Sequence, residues 1–309
     1  MRAALDLADA GLKVFLVEHT PCLGGRVAQL GYMFPQHDCV LCRGTADHGY
    51  GCTRPSIAPA YIQHNQHPNL EILTSTHVVD VAGQAGDFSV SLRQEPRYVD
   101  ARRCLNCGRC AEACPVERPD EYQQGLANRR AVYKVAARAA PDAYVLERGP
   151  YCEACGRCAA VCPSGAIDLQ AQPRLITIEV GAIILALGFQ AYDPTALEEY
   201  GYGRYPNVLH ALQYERLASR SGPTEGLVER PSDRRTPRSI AWLQCIGSRD
   251  RGCVFCSSIC CMYATKEAIL AKQRLGDSVA GSMFVMDERA CNKEYGTYFA
   301  RARDHYGIR

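Results

Sequence analysis

Two cysteine runs of matching spacing carry the chemistry of this sequence. Cys104, Cys107, Cys110 and Cys114, followed by Pro115, are repeated as Cys152, Cys155, Cys158 and Cys162, followed by Pro163; both read C-x2-C-x2-C-x3-C-P. That order is the ligand pattern of two [4Fe–4S] cubanes. The three closely spaced thiolates let a tight loop wrap one cubane, and the fourth, a helical turn on, points to the other. Cys104, Cys107, Cys110 and Cys162 are therefore expected on one cluster, and Cys152, Cys155, Cys158 and Cys114 on its neighbour. Structural zinc also takes C-x2-C, but it draws four ligands as two separated pairs. Cysteines in this duplicated order fit that poorly, and iron–sulfur is the reading.

A third group comprises Cys245, Cys253, Cys256, Cys260 and Cys261. The last four lie where a helix is expected to begin, and Cys245 approaches from the end of a strand. A helix N-terminus lowers a thiol pKa and so favours ligation. Buried, unreactive cysteines are the plainer alternative. Cys39, Cys42 and Cys52, with His37 and His48 nearby, form a weaker set. They read best as ordinary thiols lining a cofactor pocket, with a fourth metal site or a redox pair as the alternatives. Cys22 and Cys291 receive no role.

Around these residues the composition is that of a globular protein. With 309 residues the chain has room for two or three domains, and 47% hydrophobic residues can build a core. A net charge of +2 gives no case for nucleic acid or an anionic membrane surface. No apolar run reaches the ~18 residues that span a bilayer. The first residues lack a signal-peptide pattern. Eighteen cysteines without an export signal point to metal ligands in a reducing cytoplasm.

The elements that must position these groups can be read in outline. Residues 3–10 suit a short helix, Gly11 its C-cap, and residues 13–18 a buried strand ending on Glu18. That is the second half of a Rossmann βαβ unit, whose terminal carboxylate binds an adenosine ribose. The preceding strand and glycine fingerprint are absent, so the chain is expected to be a fragment. Gly24-Gly25-Arg26 follows at once, and flavoproteins set such a turn against the flavin pyrophosphate. Backbone without side chains lets the phosphates approach, and the arginine adds a charge-assisted contact. Residues 71–73, 77–81 and 88–92 alternate as short strands of an antiparallel meander, with Gly83 and Gly86 marking a turn. Residues 180–187 form an apolar run ending at Gly188, similar to the strand that returns the chain to the flavin in proteins with two dinucleotide-binding domains. Residues 239–245, 257–275 and 283–286 read as strand, helix and strand of a parallel α/β unit, and 295–306 as a last helix. Between the cysteine runs, a helix is expected around 125–139. The turn after residue 243 holds Cys245 where a nicotinamide fingerprint would stand, so no NAD(P) motif is found.

Taken together, these stretches resemble the heterodisulfide reductase A-subunit family of iron–sulfur flavoproteins. The resemblance rests on residues 4–18, Gly24-Gly25-Arg26, 34–42, 96–100, both cysteine runs, 180–188, 198–208 and 244–264. It implies an α/β fold: a thioredoxin-reductase-like, Rossmann-type FAD-binding domain carrying an inserted α+β two-cluster bacterial-type ferredoxin domain. The domains would be 1–96, first part of the FAD-binding domain; 97–173, the insert; and 174–309, the second part. This last part would hold a non-standard [4Fe–4S] site. By the same resemblance, Cys245, Cys256, Cys260 and Cys261 ligate that third cluster, with Cys253 as the alternative to Cys256. FAD would be held by Glu18, Gly24, Gly25, Arg26 and Gly188.

The implied function is that of an oxidoreductase subunit passing electrons between FAD and clusters, with flavin-based bifurcation as the finer form that the resemblance implies. The partners implied are other subunits of a heterodisulfide-reductase-like or hydrogenase/dehydrogenase complex, and ferredoxin. The alternative is a non-catalytic ferredoxin-like relay that binds no flavin. A pyridine-nucleotide oxidoreductase like the small subunit of glutamate synthase would need a second glycine fingerprint. No acid–base pair or nucleophile stands out, which suits redox work at cofactors.

Overall fold

The computed structural model describes residues 1–35, 37, 67–136, 139–152, 155–249, 252–289 and 292–309. Cys39, Cys42, Cys52, His48 and Cys291 lie outside the described residues. The chain forms two compact units, Met1–Ala28 with Leu41–Gly188, and Gln29–Val40 with Phe189–Arg309.

In the first unit the helix Arg2–Asp9 buries Ala4 and Ala8, and it ends before Gly11, whose φ of 89° is left-handed. β1 (Val14–Val17) then pairs in parallel with β2 (Leu70–Leu73), Val14 opposite Leu70. The strand before the meander thus belongs to a separate parallel pair. β3 (Thr76–Gln84) and β4 (Asp87–Gln94) form the expected hairpin, closed by Gly83 and Gly86 at φ 97° and 95°. A Cβ on Gly83 would run into the Asp87 carbonyl, so the turn requires glycine. β9 (Arg174–Val180) adds the third strand, leaving β4 in the centre. Alternation along β4 aims Phe88, Val90 and Leu92 at Ile176, Ile178 and the β1–β2 residues Val17 and Leu73.

Two expectations fail here. Residues 181–187, read as a buried strand, form no ladder; Ile184, Leu185 and Leu187 are exposed by 62%, 76% and 89%. Among the described residues no strand lies beside them, and an apolar run without a neighbour cannot pair its backbone. The helix expected around 125–139 is also absent from the described residues of that range. β6 (Asn128–Arg130) pairs with β5 (Glu117–Pro119), and β7 (Val132–Tyr133) with β8 (Val145–Leu146). Side chains distant in sequence decide it. Arg129 pairs with Glu121 and Glu147, and Val132 is fully buried against the cysteine loops.

The cysteine region repeats its own geometry. Two one-turn helices, Arg109–Glu112 and Arg157–Ala160, each follow a left-handed glycine, Gly108 at φ 80° and Gly156 at φ 76°. Val99 and Ile167 bridge the two ends of the region, antiparallel. Val99, Val132, Leu146 and Ala166 pack with Cys110, Cys114 and Cys158 in one core.

In the second unit β10 (Ser239–Leu243) and β11 (Ala280–Phe284) pair in parallel, joined through the helix Cys260–Leu275. This is the expected strand–helix–strand unit. The helix Tyr295–Asp304 packs on it, and the core gathers Trp242, Met262, Ile269, Tyr298 and Ile308.

Candidate iron–sulfur centres

Each cysteine run repeats one burial pattern. Its first thiol is half-buried (Cys104, Cys152), its second exposed (Cys107, Cys155) and its third buried (Cys110, Cys158). The left-handed glycine before each one-turn helix, Gly108 and Gly156, lets the chain turn back there. A cavity is lined by Cys104, Cys107 and Cys110 together with Cys162 of the other run, under Tyr144. A Cβ on Gly108 would come within 3.3 Å of the Tyr144 hydroxyl. Cys162 Sγ accepts the Ala166 N–H at 3.3 Å and lies 3.7 Å from Ser164 Oγ. Cys114 and Cys152, conversely, are the thiols whose charges act on Cys158.

Among the described residues no three His, Cys, Asp or Glu side chains are gathered closely enough to share one ion. A cubane does not ask for that, since each of its irons takes its own thiolate. The donor set fits such a group in chemistry: thiolates only, on loops with backbone N–H groups facing sulfur.

The thiols carry opposed shifts. Burial pushes Cys110 up to about 11, the Ala111 N–H offsetting part of this while Cys104 and Cys107 add to it. Burial also raises Cys158, with Cys114 and Cys152 contributing. At Cys162 the same burial is outweighed by hydrogen bonds from Ser164, Ala166 and Gly165, and the thiol ends below its ordinary value. Ligation requires thiolate, so metal uptake must displace the proton that burial holds on Cys110 and Cys158.

The third group lies in the second unit. Cys245 stands two residues past β10 with a left-handed φ of 61°, and Cys260 and Cys261 open the helix Cys260–Leu275. That helix has no side-chain cap at its start, so its free N–H groups favour anionic sulfur. A hydrogen bond from Cys261 draws Cys260 down to about 5 against the effect of burial, with a further backbone contact at Cys245. Cys245, Cys260 and Cys261 are thus brought together. Cys256 Sγ accepts the Ser258 N–H at 3.3 Å, while Cys253 is exposed. Gly247, in the turn after Cys245, has φ 67° and leaves room only for the Tyr192 ring.

The residues read as flavin contacts fall on the first unit. Glu18 follows β1; its Oε1 accepts from the Thr20 N–H and hydroxyl, both at 2.9 Å, with His19 Nδ1 at 3.0 Å. Gly24 and Gly25 turn the chain at φ 115° and 50°, and a Cβ on Gly25 would meet nothing. That open glycine backbone fits the close approach of a phosphate. Gly188 also has a left-handed φ, 70°, in open space. Sequence reasoning missed Tyr144, which lines the cysteine cavity, and gave Cys22 no place. Cys22 is buried, its Sγ accepting the Ala140 N–H at 3.3 Å. Neither residue carries a motif; both are found only through the fold.

Thiol-only loops in this duplicated arrangement define an iron–sulfur protein, and residues 100–166 match the family described as the 4Fe-4S dicluster domain. The whole chain is 44% identical over 311 residues to the second iron–sulfur A-subunit of the CoB–CoM heterodisulfide reductase of Methanopyrus kandleri. It is 40% identical over 311 residues to the A-subunit of the H(2):CoB-CoM heterodisulfide,ferredoxin reductase of Methanothermobacter marburgensis. It is 34% identical, over 98% of its length, to the A-subunit of the ferredoxin/F(420)H(2)-dependent CoB-CoM heterodisulfide reductase of Methanosarcina acetivorans. Over its whole length the chain is similar to A-subunits of heterodisulfide reductases. It spans 45% of the length of the first two of these relatives and 37% of the third. Among the described residues no helix is long and apolar enough to cross a membrane.

Proposed function

We propose that this chain passes electrons between FAD and [4Fe–4S] clusters within a heterodisulfide-reductase-like complex. The observation that carries the reading is the cavity that Cys104, Cys107 and Cys110 share with Cys162. It supports two cubanes held side by side, with ligands exchanged between the runs. The convergence of Cys245, Cys260 and Cys261 supports a third, completed by Cys256 or Cys253. Glu18 would take an adenosine ribose hydroxyl, the Gly24–Gly25 backbone would admit the pyrophosphate, and Arg26 would add a positive charge. Bound there, FAD supplies the exchange between two-electron and one-electron chemistry.

The relatives' names pair the heterodisulfide with ferredoxin, hydrogen or F420H2. By that likeness the partners are the other subunits of such a complex and ferredoxin, and bifurcation from the flavin is the finer form of the proposal.

Anaerobically reconstituted chain should hold about twelve irons with matching acid-labile sulfide, the content of three cubanes. A value near eight would remove the third cluster, and zinc in place of iron would remove all three. The same preparation should bind added FAD with a flavin spectrum. Clusters without flavin would leave a relay in place of a flavoprotein. Arg26→Ala should weaken FAD retention in equilibrium dialysis, because a phosphate-directed charge is lost. Retention equal to that of the parent would show the pyrophosphate placement to be wrong.

A further inference from the structure

Arg97 stands where the chain leaves the β3–β4–β9 sheet for the cysteine region, and it is a half-buried cation without a counter-ion among the described residues. Its guanidinium donates to the Pro21 carbonyl on one side and, at 3.5 Å, to the Tyr144 carbonyl on the other. Its own carbonyl accepts the Leu146 N–H at 3.1 Å. The buried Nε has no hydrogen-bond partner among the described residues. No carboxylate there pairs with it either, unlike the buried Arg129 of this region, which Glu121 and Glu147 neutralise. A guanidinium withdrawn from water with no anion beside it is costly to the fold.

The candidate for the missing negative charge is the cysteine cavity. Tyr144, whose carbonyl Arg97 holds, lines it, as does Val99, two residues further on. Burial depresses the Arg97 pKa, and Cys22, Tyr133 and Cys104 are the groups that oppose the shift. We propose that Arg97 is the counter-charge of the cluster on Cys104, Cys107, Cys110 and Cys162, and raises its reduction potential above that of the cluster on Cys152, Cys155, Cys158 and Cys114. The inference rests on the iron–sulfur reading above. A cubane held by four thiolates is an anion, and taking up one electron adds one negative charge. A fixed cation nearby favours that reduced form, while the cluster in turn stabilises the half-buried guanidinium. Because Arg97 also grips Pro21, at the start of the turn leading to Gly24 and Gly25, the cluster it favours is the one tied to that turn.

The test is an EPR-monitored redox titration of the full chain, reconstituted anaerobically and reduced with dithionite. In Arg97→Gln, one cluster should become about tenfold harder to reduce, a shift of about 59 mV for a one-electron couple. The other should keep its potential, and the signal that moves should be the one Cys162→Ser alters. Arg97→Lys, which keeps the charge, should move it much less. Arg103→Gln removes an exposed arginine bound to the Ser164 carbonyl at 2.7 Å; solvent screening should make its effect smaller. The proposal is overturned if both clusters move together, if neither moves, or if Arg103→Gln matches Arg97→Gln. Should Arg97→Gln fail to assemble, Arg97→Lys decides: a shift as large as tenfold overturns the proposal. A parent chain that takes up no iron defeats the iron–sulfur reading, and this one with it, whereas iron-loaded chains with unshifted potentials defeat this one alone.

Discussion

Cys162→Ala is expected to remove the cluster built on Cys104, Cys107 and Cys110, leaving in place the cluster nearer to it in sequence. The cavity that gathers those three first-run thiols takes its fourth from the second run, and Cys114, with Cys152, is a thiol whose charge acts on Cys158. A cubane short of one thiolate is the weaker of the two. Iron should therefore fall by about four of about twelve per chain. That loss alone does not say which cluster went, but a double substitution does. Crossed ligation puts Cys107 and Cys162 on one cubane, so Cys107→Ala with Cys162→Ala should lose no more iron than either change alone. Were each run closed on its own cubane, the pair would strip both, and only about four irons would remain. Cys107→Ala with Cys114→Ala is the mirror experiment and should empty both sites. The opposite outcome in these two pairs would refute the crossed assignment.

What the sequence revealed was what local spacing controls. The two cysteine runs, the glycines closing the β3–β4 hairpin and the helix ended by Gly11 each depend on neighbours a few residues away. The parallel β10–β11 pair with its connecting helix was legible because strand and helix periodicities are local too. The failures share the opposite cause. The stretch 125–139 carries helix-compatible alanines, but Arg129 meets Glu121 and Glu147 across a hairpin, and Val132 meets the cysteine core. Neither contact leaves a periodic trace. Residues 181–187 have the apolar content of a core strand, yet a strand is made by its neighbour, and none stands there among the described residues. Arg97 and Tyr144 are invisible for the same reason. One is a single charge ahead of the first cysteine run and the other a single aromatic between the two runs, and only the fold sets both against the cysteine loops.

The second unit supplies the other large effect, at a pair that sequence inspection leaves among ordinary surface charges. The side chain of Lys266 is fully buried and that of Glu215 is 5% exposed, and the two form an ion pair. Lys266 Nζ also donates to the Tyr32 carbonyl at 3.0 Å, and Glu215 Oε2 accepts the Gly31 N–H at 3.4 Å. Next in sequence to the lysine, Glu267 is buried as well. Its Oε2 accepts the Trp242 Nε1–H at 3.0 Å. Removing the single ammonium leaves two buried carboxylates facing each other. Lys266→Met should thus destabilise this unit by about 3–5 kcal/mol, the range for breaking one side of a buried pair. Burial, then the Glu215 charge, raises the Glu267 pKa well above its ordinary value, and Lys266 only partly offsets them. A carboxyl raised in the fold contributes stability that is complete below its unfolded pKa and is lost as pH rises through the folded value. Stability should accordingly fall from acid toward neutral pH, and fall more steeply in Lys266→Met. Glu267→Gln keeps an acceptor for Trp242 and removes the titrating charge, so it should flatten that slope and stabilise the unit at neutral pH. Trp242 is the only tryptophan in the chain, and it lies in this core, so its fluorescence during urea unfolding follows the second unit. If Lys266→Met unfolds within about 1 kcal/mol of the parent, the buried pair does not have the strength assigned to it; an unchanged pH slope in Glu267→Gln would place the titrating group elsewhere.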